Sequence, residues 1–129
     1  MDTDVVSYFL KQHPLADYFR PFFINRTLAI SFMTVAELYF WAYKQSWGQS
    51  RILDLENKIK NYVVLPYDYL MCMKWADVRN QCEAIGLPAT ESDYWVAATA
   101  LRYDCALATN NGRHYQGINN LEIISPTLI

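Results

Sequence analysis

Three carboxylates in this chain occupy positions that suit metal chemistry. Asp2 stands just before the first predicted helix, whereas Glu37 and Asp93 lie in the first turns of two later predicted helices. Their neighbours at helical spacing are apolar: Met33, Phe40 and Trp41 for Glu37, and Val96, Ala97 and Ala100 for Asp93. Both carboxylates are therefore expected to face inward, which is costly unless each is paired. A divalent cation would relieve the mutual repulsion of converging carboxylates, and oxygen ligands favour Mg²⁺ or Mn²⁺.

Each acid also has a purely structural interpretation. Thr34-Val35-Ala36-Glu37 and Thr90-Glu91-Ser92-Asp93 both fit the capping-box pattern, in which a threonine caps a helix and the acid reaches back to it. Asp2 could cap the first helix, or belong to a disordered terminus. Because helix N-termini accept any acid, spacing alone leaves both interpretations open.

The composition describes one globular domain. The chain has 129 residues, 53% of them hydrophobic, which suffices for a sizeable core and argues against disorder. A formal net charge of -2 and a pI of about 5.6 argue against binding nucleic acid through bulk charge. The three cysteines show no CxxC spacing, so neither a disulfide framework nor a zinc site is expected. Without a signal peptide or a long apolar run, we expect a cytoplasmic protein that makes no membrane contact.

The hydrophobic pattern alternates helices with short apolar strands. Helices are predicted over about residues 3–11, 15–24, 33–47, 49–61, 68–84 and 91–103. Strands are predicted at 28–31, 63–65, 105–108 and 121–124. Short apolar strands separated by helices indicate an α/β fold with a parallel sheet covered on both faces. Ligands of such sheets bind at the carboxyl ends of the strands, so chemistry is expected there.

Four segments carry the pattern of a known family. Asp2-Thr3-Asp4 followed by an apolar helix is similar to a first motif, Asp-Thr-(Asn/Asp). Residues 30–38 resemble a second, in which a strand ends and a helix carries glutamate. Residues 92–100 resemble Asp-x-x-(Ile/Val)-Ala-Ala, and residues 108–115 resemble a fourth. Together, in this order and spacing, they resemble the PIN-domain family and, within it, the VapC-type toxins of bacterial toxin–antitoxin pairs.

The resemblance implies a fold and a set of site residues. The fold would be a PIN-like three-layer α/β/α sandwich with a short, mainly parallel central sheet, formed as a single domain by residues 1–129. Asp2, Glu37 and Asp93 would be the catalytic acids that bind Mg²⁺ or Mn²⁺. The supporting residues would be Thr3 and Asp4 in the first loop, and Thr109 and Asn111 in the last motif.

The sequence departs from the family pattern at two places. Many relatives carry a fourth acid two or five residues beyond the last-motif threonine, where this chain has the neutral Asn111 and His114. We therefore expect one well-held metal ion rather than two. Relatives also carry a short strand before the first aspartate, whereas here only Met1 precedes Asp2. This difference predicts a weakened fold or a loosely held Asp2, or else a native start upstream.

The implied activity is that of an endoribonuclease, which attacks RNA phosphodiesters with a metal-activated water. Contact with RNA is expected above all from Arg113 beside the fourth motif, with His114 as a further candidate. Other basic candidates, each with a solvated helix face as its alternative, are Lys44, Arg51, Lys58, Lys60, Arg79 and Arg102.

The implied partners are RNA, a cognate antitoxin and a second copy of the chain in a homodimer. The aromatic side chains of the helix at 33–47 are too many to share one buried side. Some of them are expected to line a dimer interface or an antitoxin groove, the alternative being core and ordinary surface. They are Tyr39, Phe40, Trp41, Tyr43 and Trp47.

Two other classes of protein stay open. A catalytically weak, PIN-like module that binds protein or RNA is favoured by the neutral fourth position and the short start. A doubly wound phosphoacceptor domain would also use an acidic cluster and Mg²⁺. That class requires a lysine after its last strand, and no lysine follows Lys74.

Overall fold

The computed structural model describes residues 1–128 and, within them, six α-helices and four short β-strands. The helices are α1 (Thr3–Leu10), α2 (Ala16–Phe23), α3 (Phe32–Lys44), α4 (Gln49–Ile59), α5 (Tyr69–Ile85) and α6 (Glu91–Arg102). The strands are β1 (Ala29–Ser31), β2 (Val63–Leu65), β3 (Leu107–Ala108) and β4 (Ile123–Ile124). Every predicted helix and strand is confirmed, with ends shifted by a few residues. A 3-10 helix at Gly112–His114 is not among the predicted elements. The predicted domain extends to Ile129, which lies outside the described residues.

The strands form two parallel pairs that meet at the start of the chain. β1 pairs with β2 and β3 pairs with β4, in both cases in parallel. Met1 and Asp2 lie between the pairs, because the Met1 amino group donates to the Ala29 carbonyl and the Asp2 N–H donates to the Ala108 carbonyl, each at 2.8 Å. The α/β class with a short parallel sheet is confirmed. The carboxyl ends of β1 and β3 both face the start of α1.

Buried side chains pack in three clusters against these strands. Val5 and Val6 of α1 are both fully buried, but they enter different clusters because successive residues point in different directions around a helix. Val6 packs with Ile30 and Leu38, whereas Val5 packs with Phe19 and Ala108. The third cluster joins α5, α6 and the segment after β3. Helix α1 is thus fixed on two sides, which holds its N-terminus beside the strand ends.

The expectation of full cover on both faces of the sheet is wrong at β2. Val63 and Val64, successive residues whose side chains point to opposite faces of the strand, are 48% and 44% exposed. On α3, Phe40 and Tyr43 are also exposed, whereas Tyr39 and Trp41 are half-buried, as is Trp47 in the segment after the helix. Within residues 1–128, no helix has both the length and the apolar character needed to cross a bilayer.

A cavity of about 330 Å³ lies between the two strand pairs. Its walls include Met1, residues 26–31 leading into β1, and residues 104–108 leading through β3. The predicted loosening of Asp2 is nevertheless wrong, because Asp2 is only 7% exposed and its backbone is hydrogen-bonded to β3. The side-chain contacts of Asp2, described next, add to that restraint.

Candidate functional site

Asp2 begins α1 and is held by donors on both of its carboxylate oxygens. Its extended backbone (ψ 161°) makes it the N-cap, and its Oδ1 accepts a 2.8 Å hydrogen bond from the Thr3 N–H. Its Oδ2 accepts from the Thr109 hydroxyl at 2.8 Å and from the Tyr115 hydroxyl at 3.0 Å. The capping interpretation of Asp2 is therefore confirmed, and the carboxylate also faces residues that follow β3.

Asp93 sits at the start of α6 and is also part of a capping box. The Thr90 N–H donates to Asp93 Oδ2 at 2.8 Å, and the Asp93 N–H donates to the Thr90 hydroxyl at 3.3 Å. The same Oδ2 contacts His114 Nδ1 at 3.0 Å, while Oδ1 accepts from the Tyr115 hydroxyl at 3.0 Å. The expected inward face is confirmed, since the side chain of Asp93 is 16% exposed and its apolar neighbours are buried.

Tyr115 joins the two aspartates, and the sequence analysis did not single it out. Its side chain is fully buried, and its one hydroxyl lies 3.0 Å from an oxygen of Asp2 and 3.0 Å from an oxygen of Asp93. A signal was present, because a buried tyrosine hydroxyl needs a polar partner and Tyr115 is the last residue of the fourth motif. The two contacted carboxylate oxygens are thus at most about 6 Å apart, twice 3.0 Å.

Glu37 lies near this pair, but its contacts match neither the predicted inward-facing carboxylate nor the predicted capping box. Its Oε1 accepts a 2.9 Å hydrogen bond from the Thr3 hydroxyl. The Thr34–Glu37 capping box is wrong, since α3 begins earlier, with Ser31 as N-cap accepting from the Thr34 N–H. The core face of α3 is also rotated away from Glu37, as Phe40 is 66% exposed and Glu37 itself is only half-buried.

Asp4 links α1 to the loop after β3. Its Oδ1 accepts from the Val5 N–H at 2.6 Å, and its Oδ2 accepts from the Asn110 N–H at 3.0 Å and from Asn111 Nδ2 at 3.1 Å. The Asn111 side chain is therefore engaged with Asp4 rather than left free for a water. The Asn111 N–H, in turn, donates to the Thr109 hydroxyl at 3.0 Å, which orients Thr109 toward Asp2.

The two RNA-contact candidates have different surroundings. The side chain of His114 is 25% exposed, and its Nδ1 lies 3.0 Å from Asp93 Oδ2. Arg113 is exposed beside it. Among the other basic candidates from the sequence, three form ion pairs within the described chain: Lys58–Asp54 (3.1 Å), Arg79–Glu83 (2.8 Å) and Arg102–Asp68 (2.7 Å).

The electrostatics of the acids reflect their burial and proximity. Burial raises the pKa of Asp2, although hydrogen bonds from Thr109, Thr3 and Tyr115 oppose the shift. Burial, together with the charge of Asp2, raises the pKa of Asp4 to about 7. Burial also raises the pKa of Glu37, and the charges of Asp2 and Asp93 add to that effect. The acids are thus close enough to disfavour one another's charge, which is the condition that a bound cation relieves.

The acidic side chains of the site do not by themselves surround a metal position. Within residues 1–128, no group of three or more His, Cys, Asp or Glu side chains is arranged to enclose a metal ion. Asp2 and Asp93 nevertheless form a linked pair of carboxylates, with Glu37 connected through Thr3. Two carboxylates with a third nearby suit a hard cation that keeps much of its water shell.

Comparison with known proteins identifies the family. The PIN domain model matches residues 1–117. The chain is 30% identical to Ribonuclease VapC1 of Haemophilus influenzae (strain R2866) over 126 residues, covering 95% of this chain and 92% of that protein. The chain belongs to the PIN-domain family, so the resemblance found in its motifs is confirmed.

Solved structures agree with this assignment. VapBC-1 from nontypeable Haemophilus influenzae matches with a TM-score of 0.80 and 27% identity, over 96% of this chain and 94% of that one. VapBC2 from Rickettsia felis, solved bound to a promoter DNA fragment, matches with a TM-score of 0.84 over 96% and 95%. At 23% identity, the latter supports the fold alone.

Proposed function

We infer that this chain is a metal-dependent endoribonuclease and the toxin of a VapBC-type toxin–antitoxin pair. The observation that carries this proposal is the pair of Asp2, which is buried, and Asp93, whose side chain is 16% exposed, joined through the buried Tyr115 hydroxyl. Relatives named as ribonucleases support it, including a tRNA(fMet)-specific endonuclease from Shigella flexneri, 25% identical over 122 residues.

The cation proposed for the site is Mg²⁺ or Mn²⁺, since the available ligands are carboxylate oxygens. Asp2 and Asp93 would hold it directly, and Glu37 would bind it directly or through a water. When bound, such a cation supplies activation of a water nucleophile and neutralises charge on the phosphate. Because Asn111 and His114 stand where relatives carry a fourth acid, and each is bonded to an acid, a single well-held ion is proposed rather than two.

The remaining residues have supporting roles in this proposal. Thr3 and Thr109 donate to Glu37 and Asp2, and so fix the direction in which these carboxylates point. Asp4 holds the loop after β3 through Asn110 and Asn111. Arg113, exposed beside the site, is the residue proposed to contact an RNA phosphate, whereas His114 acts first by orienting Asp93.

The proposed protein partners are a cognate antitoxin and a second copy of the chain. Structures similar to this one were solved as VapBC assemblies, and another as a toxin–antitoxin complex from Klebsiella pneumoniae, at 19% identity. The exposed rings of Phe40 and Tyr43 on α3 provide apolar surface for one of these contacts.

Incubation of the purified protein with transfer RNA and ribosomal RNA, in Mn²⁺ or in EDTA, tests the activity. We expect cleavage in Mn²⁺ that is abolished by EDTA and lost in Asp93→Asn. Because Asp93 also caps α6, the matched control is Thr90→Ala, which removes the capping hydroxyl but keeps the carboxylate. That variant should lose stability, about 1 kcal/mol, and retain cleavage.

Two results would contradict the proposal. Cleavage that survives Asp93→Asn would indicate a contaminating nuclease and remove the site assignment. RNA binding without metal-dependent cleavage in the wild-type protein would instead favour the catalytically weak binding module, which the neutral Asn111 and the open donor geometry also suit.

A further inference from the structure

Among residues 1–128, Tyr115 is the one neutral side chain that is hydrogen-bonded to both aspartates of the site. Its ring packs in the buried cluster with Val78 and Cys82, so the position of its hydroxyl is set by the core. A phenol has one hydrogen to donate, and ionised carboxylates can only accept. The hydroxyl therefore serves both acids, by sharing or alternating its hydrogen between Asp2 Oδ2 and Asp93 Oδ1, each 3.0 Å away.

The hydrogen bonds on the two carboxylates leave matching vacant positions. A carboxylate has about four lone-pair positions, two on each oxygen. On Asp2, three are taken: one on Oδ1 by Thr3 and two on Oδ2 by Thr109 and Tyr115. On Asp93, three are also taken: two on Oδ2 by Thr90 and His114, and one on Oδ1 by Tyr115. Counting the shared Tyr115 hydroxyl on both acids, each aspartate thus keeps one acceptor position with no donor near it within residues 1–128, in both cases on Oδ1.

We propose that Tyr115 is a positioning residue, whose hydroxyl holds Asp2 and Asp93 so that the vacant position on each Oδ1 is presented to one shared cation. This inference rests on the proposed function. Without the hydroxyl, each carboxylate keeps its other hydrogen bonds but loses the donor that it shares with the other acid, so the position of one Oδ1 relative to the other is held less firmly. Ligand orientation by such outer partners typically changes metal affinity by about 10- to 100-fold.

Tyr115→Phe removes the hydroxyl and keeps the ring. Tyr94→Phe is the matched control, because Tyr94 is 8% exposed, lies in the same buried cluster, and its hydroxyl makes no hydrogen bond with residues 1–128. The measurement is a Mn²⁺ titration of each protein, with free Mn²⁺ followed by electron paramagnetic resonance. We expect the Kd for Mn²⁺ to rise by about tenfold or more in Tyr115→Phe and to stay unchanged in Tyr94→Phe.

A second readout separates positioning from a general loss of structure. If Tyr115 acts by orienting ligands, RNA cleavage by Tyr115→Phe should recover substantially as Mn²⁺ is raised, because the deficit lies in binding the cation. A Tyr115→Phe protein that binds Mn²⁺ as tightly as wild type, or more tightly, overturns the inference. So does an equal loss of affinity in both variants, since that would reflect the core and not the hydroxyl.

The outcomes also distinguish this inference from the proposed function. Wild-type protein that neither binds Mn²⁺ nor cleaves RNA refutes the proposed function, whatever the variants do. Wild-type protein that does both, beside an unaffected Tyr115→Phe, refutes the role of Tyr115 alone. Should Tyr115→Phe fail to fold by circular dichroism, wild-type protein labelled at tyrosine ¹³Cζ provides the test. Mg²⁺ should then shift the resonance of a tyrosine with a slowly exchanging hydroxyl, and the lack of any shift overturns the inference.

Discussion

The acid cluster predicts that the metal-free protein becomes less stable as the pH rises through neutrality. Burial and the charge of Asp2 raise the pKa of Asp4 from its ordinary value of 3.8 to about 7. A carboxyl group with a higher pKa in the folded state binds its proton more tightly there than in the unfolded chain. Its stabilising contribution is therefore complete below the unfolded pKa and is lost as the pH rises through the folded one. Burial raises the pKa values of Asp2 and Glu37 as well, so they act in the same direction.

The size of the effect follows from the two pKa values of Asp4. Values of 3.8 unfolded and about 7 folded lower the free energy of unfolding by about 2.5 kcal/mol between pH ~5 and ~8. An unfolding entropy of about 2.1 cal/mol/K per residue makes 1 kcal/mol worth about 4 °C in a domain of 129 residues. The melting temperature in EDTA should thus fall by about 10 °C over this range.

Thermal and urea unfolding followed by circular dichroism, in EDTA at several pH values, measures this slope. Asp4→Asn should flatten it, because the substitution removes the titrating carboxyl and keeps its shape. Mg²⁺ at about one hundred times its Kd should restore about 2.7 kcal/mol at pH ~8. A stability that is constant or rises from pH ~5 to ~8 would refute the reasoning, as would a full wild-type slope in Asp4→Asn.

Two further variants test the loop after β3. Thr109→Val keeps the shape but removes the 2.8 Å hydrogen bond to Asp2, and we expect about 10- to 100-fold weaker Mn²⁺ binding in the same titration; unchanged affinity would mean that the Thr3 and Tyr115 donors suffice. Gly112→Ala would place a Cβ 2.5 Å from Leu128 Cγ and 2.9 Å from Ser125 Oγ, so urea unfolding should report a loss of about 1–3 kcal/mol. An unchanged urea midpoint would mean that residues 125–128 move aside without cost.

The fold could be predicted from the sequence because its signals are local. The breaks at His13-Pro14, Gly48 and Gly86 separate helices whose apolar spacing is regular, and the structure has all of these breaks. The ends of the strands were harder to predict. β3 pairs over only Leu107–Ala108, although the apolar run begins at Cys105. Pairing length depends on the partner strand, which the sequence of one strand does not contain.

The candidate site could be predicted only in part, for a different reason. The motifs located Asp2, Glu37 and Asp93, but apolar spacing misjudged the direction of Glu37. Helix α3 begins at Phe32 because Ser31 caps it, and Thr34 and Leu38 form its core face, which leaves Glu37 to one side. Tyr115 was missed because its role depends on contacts across more than 110 residues to Asp2 and 22 residues to Asp93. A hydroxyl that bonds to residues far apart in the chain produces no periodic pattern in the sequence.

Capping and metal binding looked like competing explanations of Asp93, yet one carboxylate can serve both. Its Oδ2 is occupied by the Thr90 N–H of the capping box and by His114, which fixes the plane of the group. That restraint leaves Oδ1 facing Tyr115 and, through it, Asp2. Asp2 follows the same principle, since its Oδ1 caps α1 while Oδ2 is bound by residues beyond β3. The caps thus help to orient the carboxylates before any cation arrives, so an acid that fits a capping box remains a candidate ligand.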